Sequence, residues 1–422
     1  MREQAYRDPV HDFITITDAL LQQLIDTPEF QRLRRIRQLG VTYGTYHGAE
    51  HSRFGHSLGA MWIMHLICER LAHTGVELSG GVREIALCAA LLHDIGHGPL
   101  SHALERHLTP QHNHESWSAA IVQEDTAVHR ILAAFDPALP TQVAAVILGN
   151  YQGPPYVRSL VSSQLDVDRM DYLLRDALYT GVTYGLFDLQ RVINTMQIHS
   201  GQVVVAAKGI VAIEEYVLAR YFMYWQVYLH KAIRSQELIL RAAWDRARQL
   251  YEQGRLSIDE VPPGLRAFIR SEYSLGDYLA LDDHDVLVAL KAWQRATDPI
   301  LADMARRVLD RQLLKPVFKA PHTGDISGQL SEARELVCAA GWDPEYYLIV
   351  DHTSDLAYDT YTEDGPGNKP PILAEDEYAC PTEITKLSQT IKAVAGRPRQ
   401  AVNVYVPAEV LASVRALFQK QK

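Results

Sequence analysis

No glycine or proline interrupts the chain between Val211 and Gln253, and apolar residues recur there at helical spacing. Strands rarely exceed about ten residues, so this stretch demands a long helix, or two nearly collinear ones. It also demands helical neighbours to bury its apolar face. The chain before it supplies them. A cap at Thr17-Asp18 precedes ALLQQLIDTPEFQRLRRIRQLG, which Pro28 interrupts and Gly40 ends. Residues 54–74 and 82–94 carry strong helical periodicity, and shorter helices are expected at 115–123, 126–135, 141–148 and 167–178. QVVVA at 202–206 can form a short strand, and 258–315 reads as helices joined by loops.

Past residue 315 the period changes. YYLIVDHT (346–353), PPILA (370–374) and AVNVYVPA (401–408) read as strands. EITKLSQTIKAVAG and PAEVLASVRALFQ read as helices, and the Gly/Pro-rich TEDGPGNKPP as an exposed loop. The expected fold is mostly α, with a helical core over residues 1–319 and a small C-terminal α+β appendage over 320–422. At 422 residues the chain is long enough for both.

Composition narrows the function. The longest apolar runs, such as ALCAALL at 86–92, are too short to span a bilayer, and MREQAYRDP has no apolar signal core. Cys68, Cys88, Cys338 and Cys380 lie far apart without CxxC pairing, which fits a reducing compartment. A cytoplasmic protein with no membrane partner is expected. The formal net charge of −10 disfavours broad nucleic-acid binding, while leaving room for a local basic pocket that holds phosphates.

Histidine is the informative residue. Eleven of the eighteen fall between His47 and His114. Four blocks stand out: HSRFGH (51–56), HDIGHGPLSH (93–102), NHE (113–115) and DVDRMDYLLRD (166–176). Adjacent helical residues point roughly 100° apart, so His93 and Asp94 can grip one ion only at a helix end. There the backbone loosens, and Gly96, Gly98 and Pro99 follow. An imidazole beside a carboxylate suits a divalent first-row transition metal such as Fe, Mn, Ni or Zn. His56 and Asp168, on separate predicted helices, are the candidate further ligands. Taken alone, a His-Asp pair is as readily a structural hydrogen bond as a metal site. Arg220, Tyr224, Tyr228 and Lys231 fall at i, i+4, i+8 and i+11, on one helical face. Such a stripe suits a wall for a polyanion, or an ordinary solvated face with aromatic packing.

The order H…HD…D is the signature of the HD superfamily. IDTPEFQRLRRIRQLG, HSRFGHSLG, LLHDIGHGPLSH, DVDRMDYLLRD and YLHK, in this order, resemble the deoxynucleoside-triphosphate (dNTP) triphosphohydrolases of that superfamily. The comparison is with bacterial relatives of the mammalian SAM-and-HD-domain dNTPase. The resemblance runs from about Asp8 to Lys231, with no SAM domain expected ahead of it. It implies an HD-domain helical core that hydrolyses dNTP to deoxynucleoside and inorganic triphosphate, with Mg2+ or Mn2+ accompanying the nucleotide.

The resemblance also implies residue roles. His56, His93, Asp94 and Asp168 would hold the metal, with Asp94 counted in the catalytic set. His97 or His102 would protonate the leaving group, and Glu115 beside His114 would orient one of them. Arg53 and Arg169 would hold phosphate oxygens. Arg220, Tyr224 and Tyr228 would contact the phosphates and sugar. Tyr172 and Asp176 would pack the sugar and bind its 3′-hydroxyl, while Gln38 and Leu39 crowd the 2′ carbon. At a regulatory nucleotide site between subunits, Asp26, Gln31 and Arg34 would read a guanine edge, and Arg191, Lys208 and Lys231 would neutralise phosphates. Gln4, Arg7, Ala206 and Leu229 depart from the family pattern. A homodimer or homotetramer is expected on this ground. The rival readings are another HD chemistry (on phosphomonoesters, cyclic nucleotides or alarmones), a nucleotide sensor without turnover, and nuclease activity or single-strand binding, which the acidic balance disfavours.

Overall fold

The computed structural model describes residues 3–76, 78–100, 103–321, 326–355, 370–395 and 399–419. They form a mostly helical body carrying three small sheets. The Thr17-Asp18 cap works as expected: the Asp18 side chain accepts from Leu20 N at 2.9 Å and starts helix Ala19–Ile25. Ahead of it stands a hairpin that the apolar pattern does not announce. Strands β1 (Gln4–Asp8) and β2 (Asp12–Ile16) pair antiparallel. Asp8 closes their turn, its Oδ1 accepting from Val10 N and His11 N at 2.9 and 3.0 Å.

Helices Arg53–His73, Val82–Leu92 and Val167–Thr180 pack around one apolar core. Arg53–His73 buries residues all round, including Phe54, His56, Leu58, Ala60 and Met61, so it runs through the middle of that core. The Val211–Gln253 stretch is not one helix. Helix Ile210–Met223 runs into a single π-turn at Tyr224–Tyr228, the chain breaks at Leu229-His230, and helix Lys231–Glu252 follows. A π-turn carries i→i+5 hydrogen bonds in place of i→i+4, so residues after it leave the face occupied before it. The continuous stripe expected from Arg220 to Lys231 is corrected accordingly. Lys231 is exposed, and Ile233, Arg234 and Glu237 line the cavity described below.

QVVVA does form a strand. It is β4 (Gln202–Val205), paired with β3 (Met196–His199). The C-terminal segment adds β5 (Lys315–Pro321), β6 (Ile349–Asp355), β7 (Leu373–Glu375), β8 (Pro381–Glu383) and β9 (Arg399–Val406). These divide between two sheets. One is antiparallel in the order β5–β9–β6; in the other, β7 lies parallel to β4 and extends the β3–β4 hairpin. Apolar packing divides likewise. Ile372, Ala374, Ile384 and Ile391 join the core of helix Arg53–His73. Val404, Tyr405 and Val414 join a second core with helices Lys231–Glu252, Asp283–Trp293 and Pro299–Leu309. The cores therefore part elsewhere than at residues 319 and 320, because β7 and β8 stitch a C-terminal piece back onto the first. Residues 362–369 of the expected loop lie outside the described residues. Among the described residues, no helix is long and apolar enough to cross a membrane.

Candidate active site

Three helix ends converge on one point. His56 lies on the first turn of helix Arg53–His73, His93 caps the C-terminus of Val82–Leu92 with Asp94 next to it, and Asp168 lies on the first turn of Val167–Thr180. That last helix starts at Asp166, whose side chain accepts from Arg169 N at 2.9 Å. Gly96 has a packing role besides the loosening expected of it. A Cβ there would stand 2.2 Å from Ser118 N and 2.3 Å from His114 O, so only glycine admits helix His114–Gln123 this close.

The donor atoms face one another. His56 Nε2 stands 3.2 Å from Asp168 Oδ1 and 3.6 Å from Asp94 Oδ2; His93 Nε2 stands 3.5 Å from Asp94 Oδ1 and 3.7 Å from Asp168 Oδ1. Atoms bound about 2.1 Å from a shared centre stand roughly 3.0–3.4 Å apart, so the spacing is close to that of a ligand set. Each imidazole is oriented from behind. His56 Nδ1 donates to Asp171 Oδ2 and His93 Nδ1 to Ala90 O, both at 2.8 Å. That leaves both Nε2 atoms buried, pointing into the cluster without a hydrogen bond of their own. Two nitrogens and two carboxylates suit a divalent first-row cation. Burial opposes charging His56, but the carboxylates of Asp168 and Asp171 push its pKa up to about 10. Burial likewise opposes ionising Asp168 and Asp94. Even so, His56 and His93 hold Asp168 below the carboxylate range, and His97, Arg53 and His93 do the same for Asp94.

Around this cluster stand other expected residues, each with partners of its own. His97 is buried, its Nε2 3.3 Å from Asp94 Oδ1, and its ring stacks on His114 at a centroid distance of 4.0 Å. Glu115 is the residue expected to orient His97 or His102; the carboxylate that meets His114, whose ring stacks on His97, is Glu105. Glu105 Oε1 accepts from His114 N at 2.5 Å and from Nδ1 at 2.7 Å, while Glu115 is exposed and meets Asn113 Nδ2. His102 lies outside the described residues. Arg53 and Arg169, both expected to hold phosphate oxygens, pair with Asp94 and Asp166 respectively.

A cavity of about 490 Å³ reaches the cluster, a size suited to a nucleotide. Gln38, Leu39, Tyr172, Asp176, Tyr224 and Tyr228 line it, as do Arg53 and Arg169. Within its wall Tyr228 Oη donates to Asp176 Oδ2, and His51 Nε2 meets Asp176 Oδ1, each at 2.7 Å. The Tyr172 and Tyr228 rings stand edge to face at 6.1 Å. Burial, then the Asp176 charge, raises the Tyr228 phenol far above its usual pKa, so it stays a proton donor. Arg220 does not line the cavity; it is buried with its guanidinium 5.6 Å from the Tyr224 ring centre.

A family model described as HD domain matches residues 53–176, and one described as HD associated region matches 187–262. The uncharacterized protein YwfO of Bacillus subtilis is 41% identical over 411 residues, which cover 97% of this chain and 93% of YwfO. A phosphohydrolase from Bacteroides thetaiotaomicron, solved as a crystal structure, matches with a TM-score of 0.84 at 28% identity, over 96% of this chain and 100% of that one. The chain belongs to the HD-domain phosphohydrolase family. The deoxynucleoside triphosphate triphosphohydrolase SAMHD1 homolog of Dictyostelium discoideum is 30% identical over 254 residues, 57% of this chain and 49% of that protein. This chain thus matches about half of that relative's length. The HD match begins at Arg53 and ends at Asp176, enclosing all four donors, and the associated region contains the π-turn and its tyrosines.

Motif reading misses several members of this HD site. His11 and His51 meet Asp171 and Asp176 across the chain, Glu105 meets His114, and Asp171 meets His56 and, one helical turn on, Arg175. Asp171 and Arg175 stand in the DVDRMDYLLRD block, whose many charges are its one sequence signal. Of the six residues expected at a regulatory site, five fall into two surface groups and Lys231 into neither. Gln31 Nε2 donates to Ile25 O and Gln31 Oε1 accepts from Arg34 Nε, both at 2.8 Å, with Asp26 exposed beside them. Arg191 Nη2 donates to Lys208 O at 2.8 Å on the second group, and Lys231 is exposed elsewhere.

Proposed function

We propose that this HD protein hydrolyses dNTP to deoxynucleoside and inorganic triphosphate. The observation that carries the reading is one cavity of nucleotide size that combines the four-donor cluster with the Tyr228–Asp176 pair. The name of the Dictyostelium relative supports the same substrate class. A divalent cation on His56, His93, Asp94 and Asp168 would supply Lewis acidity to a phosphate oxygen and lower the pKa of water. Water oxygen bonds to the α-phosphorus, the bond from that phosphorus to O5′ breaks, and O5′ takes a proton. His97, which burial and then Arg53 and His114 keep neutral, suits acceptance of the water proton. His102 is the candidate acid for O5′. Arg53 and Arg169 line the same cavity and would lend positive charge to the triphosphate.

The Asp176 carboxylate, backed by Tyr228 and His51, would accept from the 3′-hydroxyl, with Tyr172 packed on the sugar and Gln38 and Leu39 against the 2′ carbon. The regulatory residues would meet those of a second copy at a shared nucleotide site, as in a homodimer or homotetramer. Nucleotide activation there, Mg2+ or Mn2+ with the nucleotide, and a cytoplasmic setting belong to the same reading. The test incubates the purified protein with each dNTP, singly and mixed, and resolves products by ion exchange. Deoxynucleoside with intact triphosphate is expected, and turnover confined to the mixture would mark activation. Monophosphate or pyrophosphate as product, or activity retained in a metal-free Asp94→Ala variant, would refute it.

A further inference from the structure

We propose that the N-terminal hairpin β1–β2 is a working part of the metal centre, with His11 and Asp8 as positioning residues that fix the His56 imidazole through Asp171 and Arg175. The inference rests on the metal reading of the four-donor cluster and adds to it a segment that lies outside the matched HD region.

The argument starts at Asp171. Its Oδ2 accepts from His56 Nδ1 and from Arg175 Nε, both at 2.8 Å; its Oδ1 accepts from His11 Nε2 at 2.7 Å and from Arg175 Nη2 at 2.9 Å. An ionised carboxylate offers about four lone-pair sites, and here four donors take them all. Such a group has no rotational freedom left, so His56 Nδ1 is pinned and Nε2 is aimed at Asp94 and Asp168. Of the four donors, two belong to Arg175, one is the metal ligand, and the fourth comes from the hairpin. Removing it frees one oxygen of the carboxylate that orients the ligand.

Asp8 secures both remaining pieces. Its Oδ1 accepts from Val10 N and His11 N, which sets the turn that presents His11. The same carboxylate meets Arg175 Nη1 at 2.9 Å and Nη2 at 3.3 Å. Helix Arg53–His73 is notched to admit the assembly, since a Cβ on Gly59 would stand 1.8 Å from Asp171 Oδ1. An apolar filling of this space would serve stability at least as well, because buried ion networks seldom outdo well-packed hydrophobic replacements. The specific product of this network is the orientation of a ring. Partners behind a metal-binding histidine affect affinity in just this way.

The test is Co2+ binding by equilibrium dialysis on the full chain, with the visible spectrum of the bound ion recorded. His11→Ala should weaken Co2+ binding about tenfold to hundredfold and shift the spectrum, with far-ultraviolet circular dichroism unchanged. His11→Gln carries an amide nitrogen where Nε2 stands and should recover most of the affinity; His11→Asn falls short of Asp171 and should not. That pair decides the point if His11→Ala does not fold. Affinity within twofold of wild type and an unchanged spectrum in folded His11→Ala, or in His11→Asn, would overturn the proposal. A wild-type chain that takes up no Co2+ would overturn the metal reading itself and this proposal with it.

Discussion

Gly59→Ala isolates the charged network behind His56. Within a helix, alanine normally stabilises by about 1 kcal/mol relative to glycine. At position 59 the sign should reverse. The new Cβ would stand 1.8 Å from Asp171 Oδ1 and 2.5 Å from Arg175 Nη2. Neither group can step aside, because Asp171 is held by His11, His56 and Arg175, and Arg175 also by Asp8. If the network survived intact, overpacking alone would cost about 1–3 kcal/mol. The overlap is too deep for that, so the buried pair should separate, which costs about 3–5 kcal/mol. Allowing for the helical gain of about 1 kcal/mol, the net loss is about 2–4 kcal/mol. Urea unfolding followed by circular dichroism reads this directly. Gly328→Ala, in helix Ser327–Ala339 with nothing within 4 Å, is the control and should keep or raise stability. A Gly59→Ala protein as stable as wild type, with Co2+ affinity retained, would refute the claim that this helix is notched for the network.

His97→Ala should lower kcat about 10²–10⁴-fold while bound metal, measured by mass spectrometry, stays at the wild-type level; unchanged kcat would remove His97 from the chemistry. Tyr228→Phe deletes a hydrogen bond to a carboxylate, worth about 1.5–3 kcal/mol, so kcat/KM for dNTP should fall about tenfold to hundredfold, and an equal fall for a bare triphosphate analogue would argue against a sugar contact. The pH dependence should differ between chelated and metal-loaded protein. The folded-state pKa of His56 is raised to about 10 by its carboxylate neighbours, so the stability it lends is complete below about pH 6.5 and is lost as pH rises towards 10. Metal must displace that proton, so metal stabilisation should grow over the same window. Calorimetry that found parallel pH profiles for the two forms would contradict the assignment.

What is legible in the sequence here is what depends on neighbours along the chain. His93 and Asp94 announce themselves because a side-by-side pair needs a helix end, and Val82–Leu92 does end there. Asp168 is legible because Asp166 caps its helix and turns it into the first turn of Val167–Thr180. Orientation is a different matter, because it comes from groups that meet only in three dimensions. His11 and Asp171 are 160 positions apart, and no local pattern links them. Glu105 is another such group: it reaches the His114 ring from nine positions away, whereas the NHE block points only to Glu115, which lines the cavity from an exposed position. The π-turn at Tyr224–Tyr228 left no such trace: tyrosine and tryptophan fill both registers, so the apolar period runs on unbroken while the backbone shifts. The helix after it therefore offers Arg234 and Glu237 to the cavity in place of Lys231. Arg234 is held in turn by Asp351 of β6 at 2.7 Å. A wall of the candidate nucleotide site thus depends on the C-terminal sheet, a dependence that only the shifted register brings about.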